Sequence, residues 1–337
     1  MRLTTKTGRL PAYWHIILTV LPLAAALVCL AIGEYPVSVR EILICVRDKF
    51  TGQQTLPAFT EATIWKIRMP EILMALVVGA GLSAAGCAFQ SLFSNPLATP
   101  DTVGVASGAS FGAALAILFG AGMVMRQAIS LVMGLAAVLF TWLAGSGKRR
   151  SLSTVILAGI MIGSLFNALV TLAKYAADPE NQLPAITYWL MGSLKSASYK
   201  TLLFGAPPVL FGILVLYLLR WRMNLLPLSE DEVYASGVNI RHLRLVTVLM
   251  ATLITAACVS MCGQVGWIGL LIPHMCRMLF GSNHLSVLPA SVGLGAFFMV
   301  LVDTLARCFF LPVSVLTAIV GAPFFILLMR RSRGWQL

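Results

Sequence analysis

Acidic residues are scarce in this chain. Its 337 residues include 12 Asp and Glu against 24 Lys and Arg, and charged residues of either sign make up 11%. A soluble globular chain carries roughly 25%. The shortage excludes a water-exposed surface over most of the molecule, and no polar stretch is long enough to fold a core of its own. Histidine is also rare, at 4 residues. The patterns H-E-x-x-H and C-x-x-C are missing, so an enzymatic reading has no metal or redox cluster to start from. A complete phosphate-binding loop is missing too. Gly145-Ser146-Gly147-Lys148 has its tail, but Trp142 replaces the first glycine and Arg149 the magnesium-holding Ser or Thr. An energy source must therefore come from a partner or an ion gradient. No basic stripe is interleaved with stacking aromatics, so the net charge of +12 does not point to nucleic acid.

Seven cysteines are present but carry little chemistry. Cys29, Cys87, Cys258, Cys262, Cys276 and Cys308 fall in apolar runs, where cysteine behaves as a small hydrophobe. Cys258 and Cys262 share a helix face, but no histidine or acid is spaced to complete a metal site. Cys45 alone is expected in a polar loop.

What the chain has is apolar length. Hydrophobic residues make up 59%, and many runs reach the ~20 residues that cross the hydrocarbon core as a helix. Spans are expected at about 14–33, 71–93, 103–120, 127–145, 153–173, 201–221, 243–262, 267–280, 287–310 and 313–330. This is an all-α polytopic membrane protein of about ten transmembrane helices, with residues 1–337 forming a single transmembrane domain. The first run leads into Gly33-Glu34-Tyr35-Pro36 without a clear cleavage site, so it is not expected to be a removable signal. Three basic clusters set the orientation: Arg2, Lys6 and Arg9; Lys148-Arg149-Arg150; and Arg330, Arg331 and Arg333. Placing them all in the cytoplasm requires an even number of spans, with both termini inside. A basic surplus remains on the opposite face and would steer an acidic soluble partner.

Two runs rich in small residues are each followed by a break. The span at 71–93 ends in Ser94-Asn95-Pro96-Leu97-Ala98-Thr99-Pro100-Asp101. The span at 243–262 ends in Gly263-Gln264-Val265-Gly266-Trp267-Ile268-Gly269. By the span count they run in opposite directions, which predicts an inverted repeat with a pathway at its interface. Irregular backbone at membrane depth survives only inside protein or along a wet cavity. Asn95 beside Pro96 offers donors and acceptors at a broken helix; read locally, it is a helix-capping Asn before an N1 proline. Asp101, His274, Arg277 and Asp303 are ionisable groups in or beside spans and are functional candidates for that reason. Asp101 and His274 are pathway candidates. Asp303 lies four residues before Arg307, a spacing that permits an intrahelical pair. A further polar segment, 224–238, places Ser229 before Glu230, Asp231 and Glu232, with Gly237 beyond: a capped helix with an acidic first turn.

Five ordered motifs carry a family resemblance: W-K-I-R-M-P at Trp65–Pro70, N-P-L-A with V-G-V-A-S-G-A, G-W-I-G-L-L-I-P-H-M-C-R at Gly266–Arg277, D-T-L-A-R at Asp303–Arg307, and G-A-P-F-F at Gly321–Phe325. Together they resemble the permease family of bacterial ABC importers for iron-siderophores, haem and cobalamin. The resemblance implies a cobalamin-permease-like fold and a homodimer with one pathway at the dimer interface. It also implies two cytoplasmic ATPase subunits, an external substrate-binding protein, and residence in the bacterial inner membrane. No cofactor is expected on this chain; ATP and Mg belong to the ATPases. The family's translocation gate falls on Asn95 and Leu97, and on Leu152 and Ser153. Its coupling helix falls on Glu230, Asp231, Glu232, Val233, Tyr234 and Gly237, with Val233 and Tyr234 as the face offered to the ATPase. Binding-protein docking falls on Arg68 and Arg307, expected half-exposed at external span ends. Two departures stand out: Glu71 where the cobalamin permease has arginine, and Phe310-Leu311-Pro312-Val313-Ser314 in place of E-L-P-x-G. The expected cargo is a metal chelate, an iron-siderophore before haem or cobalamin. The alternatives are an oxyanion such as molybdate, or an ion-coupled secondary transporter with Asp101, Asp303 and His274 as a proton relay.

Overall fold

Long apolar runs with few breakers fold as helices because lipid leaves no other partner for the backbone. The computed structural model describes residues 4–5, 8–33, 35–145 and 152–331, with only the backbone at 152, 153, 230, 234 and 327–331. The basic clusters at 2, 6, 148–150 and 333 and the incomplete phosphate loop after Gly145 lie outside the described residues. Helix α1 (Ala12–Ala31) is followed by the short α2 (Val39–Thr51) and α3 (Ala58–Ala62). A π-helical turn at Thr63–Arg68 joins α3 directly to α4 (Met69–Leu92). Then come α5 (Val105–Leu118), α6 (Met123–Ala144), α7 (Leu152–Ala176), α8 (Gln182–Leu190) and α9 (Tyr199–Leu219). The chain continues with α10 (Glu230–Ala235), α11 (Ile240–Cys262), α12 (Ile268–Phe280), α13 (His284–Phe309) and α14 (Val313–Arg331). Among the described residues there is no strand.

Among the described residues, seven segments are long and apolar enough to cross a membrane: α1, α3–α4, α6, α7, α9, α11 and α13. Helices α5, α12 and α14 are apolar but shorter there. These ten segments match the ten expected spans, with ends displaced by a few residues. Helices α2, α3 and α8 lie outside the expected spans. Cys45 is corrected: it is buried in α2, not held in a loop.

Helix α4 is buried along most of its length, whereas α9 leaves most of its surface free. Lipid supplies no hydrophobic force between helices, so close backbone approach must hold them. Small residues in α4 provide it. A Cβ on Gly86 would fall 1.8 Å from the Gly269 carbonyl oxygen of α12.

Contacts define two ends of the bundle. At one, the C-terminus of α1 meets the N-terminus of α4 and the C-terminus of α13 through Arg68 and Arg307. At the other, the C-terminus of α4 meets α12 and the start of α13 through Gln90, Arg277, Asn224 and Asn283. Both ends of the described chain lie on the Asn95 side. Trp14 packs edge-on to Phe280 at 5.0 Å. Helix α14 starts against Gly192 at the Arg68 end and runs back past His274.

Candidate functional site: two facing breaks

Each break is built by local hydrogen bonding where a helix stops. At the end of α4, Ser94 takes φ +49°, the Asn95 N–H donates to the Gln90 carbonyl at 3.1 Å, and the Ala98 N–H donates to the Asn95 carbonyl at 3.1 Å. The Asn95 side chain accepts from the Leu97 N–H at 2.9 Å. This is an Asx turn, not a helix cap, because Pro96 begins no helix. A 3₁₀ turn at Pro100–Val103 then leads into α5. At the end of α11 the chain turns through Gly263, and Trp267 takes φ +69° before α12 begins. A bulky residue in that region is strained and needs surrounding structure to hold it. Gly321 of α14 leaves it room: a Cβ there would stand 3.1 Å from the Trp267 ring.

The breaks face one another, as the inverted repeat predicts. Helix α4 runs toward the Asn95 end and α11 away from it, and each is followed by a short helix turning back. At 14 and 13 residues, α5 and α12 reach only about 20 Å, so each begins within the membrane thickness. Between the breaks lies a cavity of about 290 Å³ lined by Thr99, Asp101, Ser107, Asn167, Gln264 and Trp267, among others. Gln264 donates across it to the Ser110 hydroxyl of α5 at 2.7 Å. A second hollow, about 610 Å³, opens at the Asn95 end between Asn95, Gln90, Arg277 and Asn283. Gln90 joins the two regions. Its amide donates to the Leu270 carbonyl at 3.2 Å, one of the carbonyls at the start of α12, and its oxygen accepts from Arg277.

Asp101 lines the cavity and is exposed to it. Asn95 lines the second hollow, and Leu97 is 52% exposed beside it. Leu152 and Ser153 open α7, but their side chains lie outside the described residues, as do those of Glu230 and Tyr234. Ser229 and Glu232 form a reciprocal cap on α10: the Ser229 N–H and hydroxyl donate to the Glu232 carboxylate at 2.9 and 2.8 Å. These bonds, the hydroxyl's first, hold the Glu232 carboxyl below its usual range. Asp231 and Glu232 are exposed, and Gly237 takes φ +72° beyond the helix.

Four expectations are corrected. Val233 is no outward face: it is fully buried in the main core, because α10 is too short to turn its one apolar anchor away from α11. Arg68 and Arg307 are 3% and 6% exposed, not half-exposed. Arg68 donates to the Leu30 carbonyl at 2.7 Å and to Tyr35, and Arg307 to the Cys29 carbonyl at 3.4 Å. The last carbonyls of α1 have no intrahelical partner and no basic residue in their own last turn; the two arginines serve them, so neither presents a free guanidinium for docking. Arg307 pairs with Glu71 at 3.3 Å, and Asp303 is no ion-pair partner of it among the described contacts. Glu71 thus serves the interior, which accounts for its replacing an arginine. His274, finally, packs on Phe325 at 5.6 Å and is not among the cavity's lining. Asp303 is buried near Glu71, so Asp101, Asp303 and His274 occupy three separate surroundings.

Gln90 and Asn167 escape a reading of motifs, whereas Ser107 and Gln264 lie in segments singled out from the sequence. Gln90 is signalled only as a lone amide in a small-residue helix, and Asn167 only by its polarity in an apolar run.

Comparison with known proteins follows this geometry. The FecCD transport family matches residues 20–331. The molybdate import system permease protein MolB of Haemophilus influenzae is 40% identical over 94% of this chain and 95% of its own. A Helicobacter pylori protein named "Probable iron chelatin transport system permease protein" is 35% identical over 95% and 98%. A solved structure titled "An inward-facing conformation of a putative metal-chelate type ABC transporter" superposes with a TM-score of 0.86, at 38% identity, over 95% of this chain and all of the other. A membrane-embedded bundle with these breaks, matched end to end by permeases, belongs to the FecCD transport family.

Proposed function

We propose that this chain is the permease subunit of a binding-protein-dependent ABC importer for a metal chelate, an iron-siderophore before haem or cobalamin. The observation that carries this reading is the pair of facing breaks around a polar cavity, in a chain whose relatives are named as permeases. In this reading residues 1–337 form one transmembrane domain in the bacterial inner membrane, with the Asn95 end and both termini in the cytoplasm. Two copies form the pathway, with Asn95, Leu97, Leu152 and Ser153 at its inner neck and Asp101 along it. Two ATPase subunits dock at α10, through exposed Asp231 and Glu232, and hold ATP and Mg themselves. An external binding protein selects the cargo.

A second reading, an oxyanion such as molybdate, draws on the relative named as a molybdate permease. Co-reconstitution with the ATPase and binding protein encoded beside it separates the readings. ATP-dependent uptake of ferric chelate is expected; uptake of molybdate alone favours the second. Uptake driven by a proton gradient without ATPase overturns both and restores the ion-coupled alternative.

A further inference from the structure

A groove of about 460 Å³ separates α9 from α11 at the Asn95 end. Its walls are apolar, including Val215, Leu219 and Val246, and its lip is formed by Arg222, Asn239 and His242. The walls belong to the last turns of one spanning helix and the first turns of another, so apolar wall meets polar lip at the membrane boundary. Neighbouring Leu214 and Leu218 are 56% and 70% exposed, which makes the groove continuous with the outward apolar face of α9. Trp221, 56% exposed, sits at the end of α9, where interfacial aromatics anchor helices.

The lip has an available cation. Arg220 is engaged, stacking over Tyr217 at 3.8 Å. Arg222 is exposed and makes no hydrogen bond or ion pair with the described residues. Arg241 is exposed next to His242, and among the described residues no acidic one lines the groove. An apolar slot crowned by cationic and amide groups fits one ligand chemistry, an acyl chain carrying a phosphodiester. We propose that the α9–α11 groove binds an anionic phospholipid, with an acyl chain between Val215 and Val246 and its phosphate at Arg222. Gly237 and Val238 close the lip directly after α10, so the bound lipid braces the segment that carries α10.

Native mass spectrometry of the full chain tests this, using phosphatidylglycerol and phosphatidylcholine of identical acyl chains. Phosphatidylglycerol is expected to be retained preferentially. Arg222→Gln should reduce that preference roughly fivefold, Arg222→Glu further, and Arg222→Lys should keep it. The preference should also shrink as salt rises. Equal retention of both lipids by the wild type overturns the proposal. So does an unchanged preference in both Arg222→Gln and Arg222→Glu. Displacement of the lipid by glycerol 3-phosphate overturns it by showing that a free phosphate suffices. Its loss on adding the ATPase subunit does so too, marking the groove as a protein-docking face.

Discussion

Arg307 shows how a buried charge is tied down at the scale of one residue. Its guanidinium meets Glu71, the Cys29 carbonyl and the Thr304 hydroxyl, all inside the protein. Removing one member of a buried pair leaves an uncompensated charge, at a cost of about 3–5 kcal/mol. Replacing both members with apolar groups of similar volume is often neutral. Arg307→Ala should therefore lower stability in detergent sharply, whereas Arg307→Met with Glu71→Leu should recover most of the loss. Denaturant unfolding of the two variants checks this, and raised salt should change the difference little because the pair is shielded from solvent. The same logic governs Arg68, which clamps the end of α1. Its burial was not legible in the sequence. The carbonyls that need it lie more than thirty residues upstream, and no spacing rule reports which distant helix end lacks partners.

Two elements show what local pattern does and does not reveal. The Ser229–Glu232 cap is legible because both partners lie within one turn. Its pH dependence follows from its bonds. The folded-state pKa of Glu232 is depressed, so the cap's contribution is present above the ordinary glutamate range and is lost as pH falls through the depressed value. Amide exchange in α10, corrected for intrinsic rates, should rise over that acidic window, and Glu232→Gln should abolish the pH dependence. The direction of Val233 was not legible, since six residues give too little periodicity to fix a face. The small residues of α4 let several helices approach: α13 at Gly79, α9 and α11 at Gly81, and α12 at Gly86. Gly86→Ala must push α4 and α12 apart, because the obstructing atom is backbone. A loss of about 1–3 kcal/mol or more is expected. Gly122→Ala, where nothing lies within 4 Å and φ is −63°, should be nearly neutral. Thermal unfolding of the two variants side by side decides it.

Across the whole molecule, the ten apolar segments and the opposed breaks were legible because membrane thickness and backbone satisfaction constrain sequence directly. Thr99, Asp101 and Gln264 of the cavity belong to those breaks and could be read from them. Ser107 follows in the V-G-V-A-S-G-A run, but Asn167 could not be read, because only the packing of α7 beside the breaks brings it in. The assembly of two copies makes the last prediction. Asn95 and Leu97 are exposed at one end of the bundle with no described contact covering Leu97, as residues at a neck between copies must be in a single chain. A disulfide requires Cα atoms within about 7 Å, so it reports the axis directly. The native thiols interfere little: Cys29, Cys45, Cys87, Cys258, Cys262 and Cys276 are buried, and half-buried Cys308 lies on α13 far from its Asn95 end. In a Cys308→Ser background, Asn95→Cys and Ser153→Cys should each give a cross-linked dimer in at least one nucleotide state of the assembled importer. Dependence on nucleotide marks a gate, whereas equal cross-linking in every state marks a static contact. If neither position cross-links in any state while the complex still hydrolyses ATP, the neck lies elsewhere and the Asn95 turn serves only to reverse the chain.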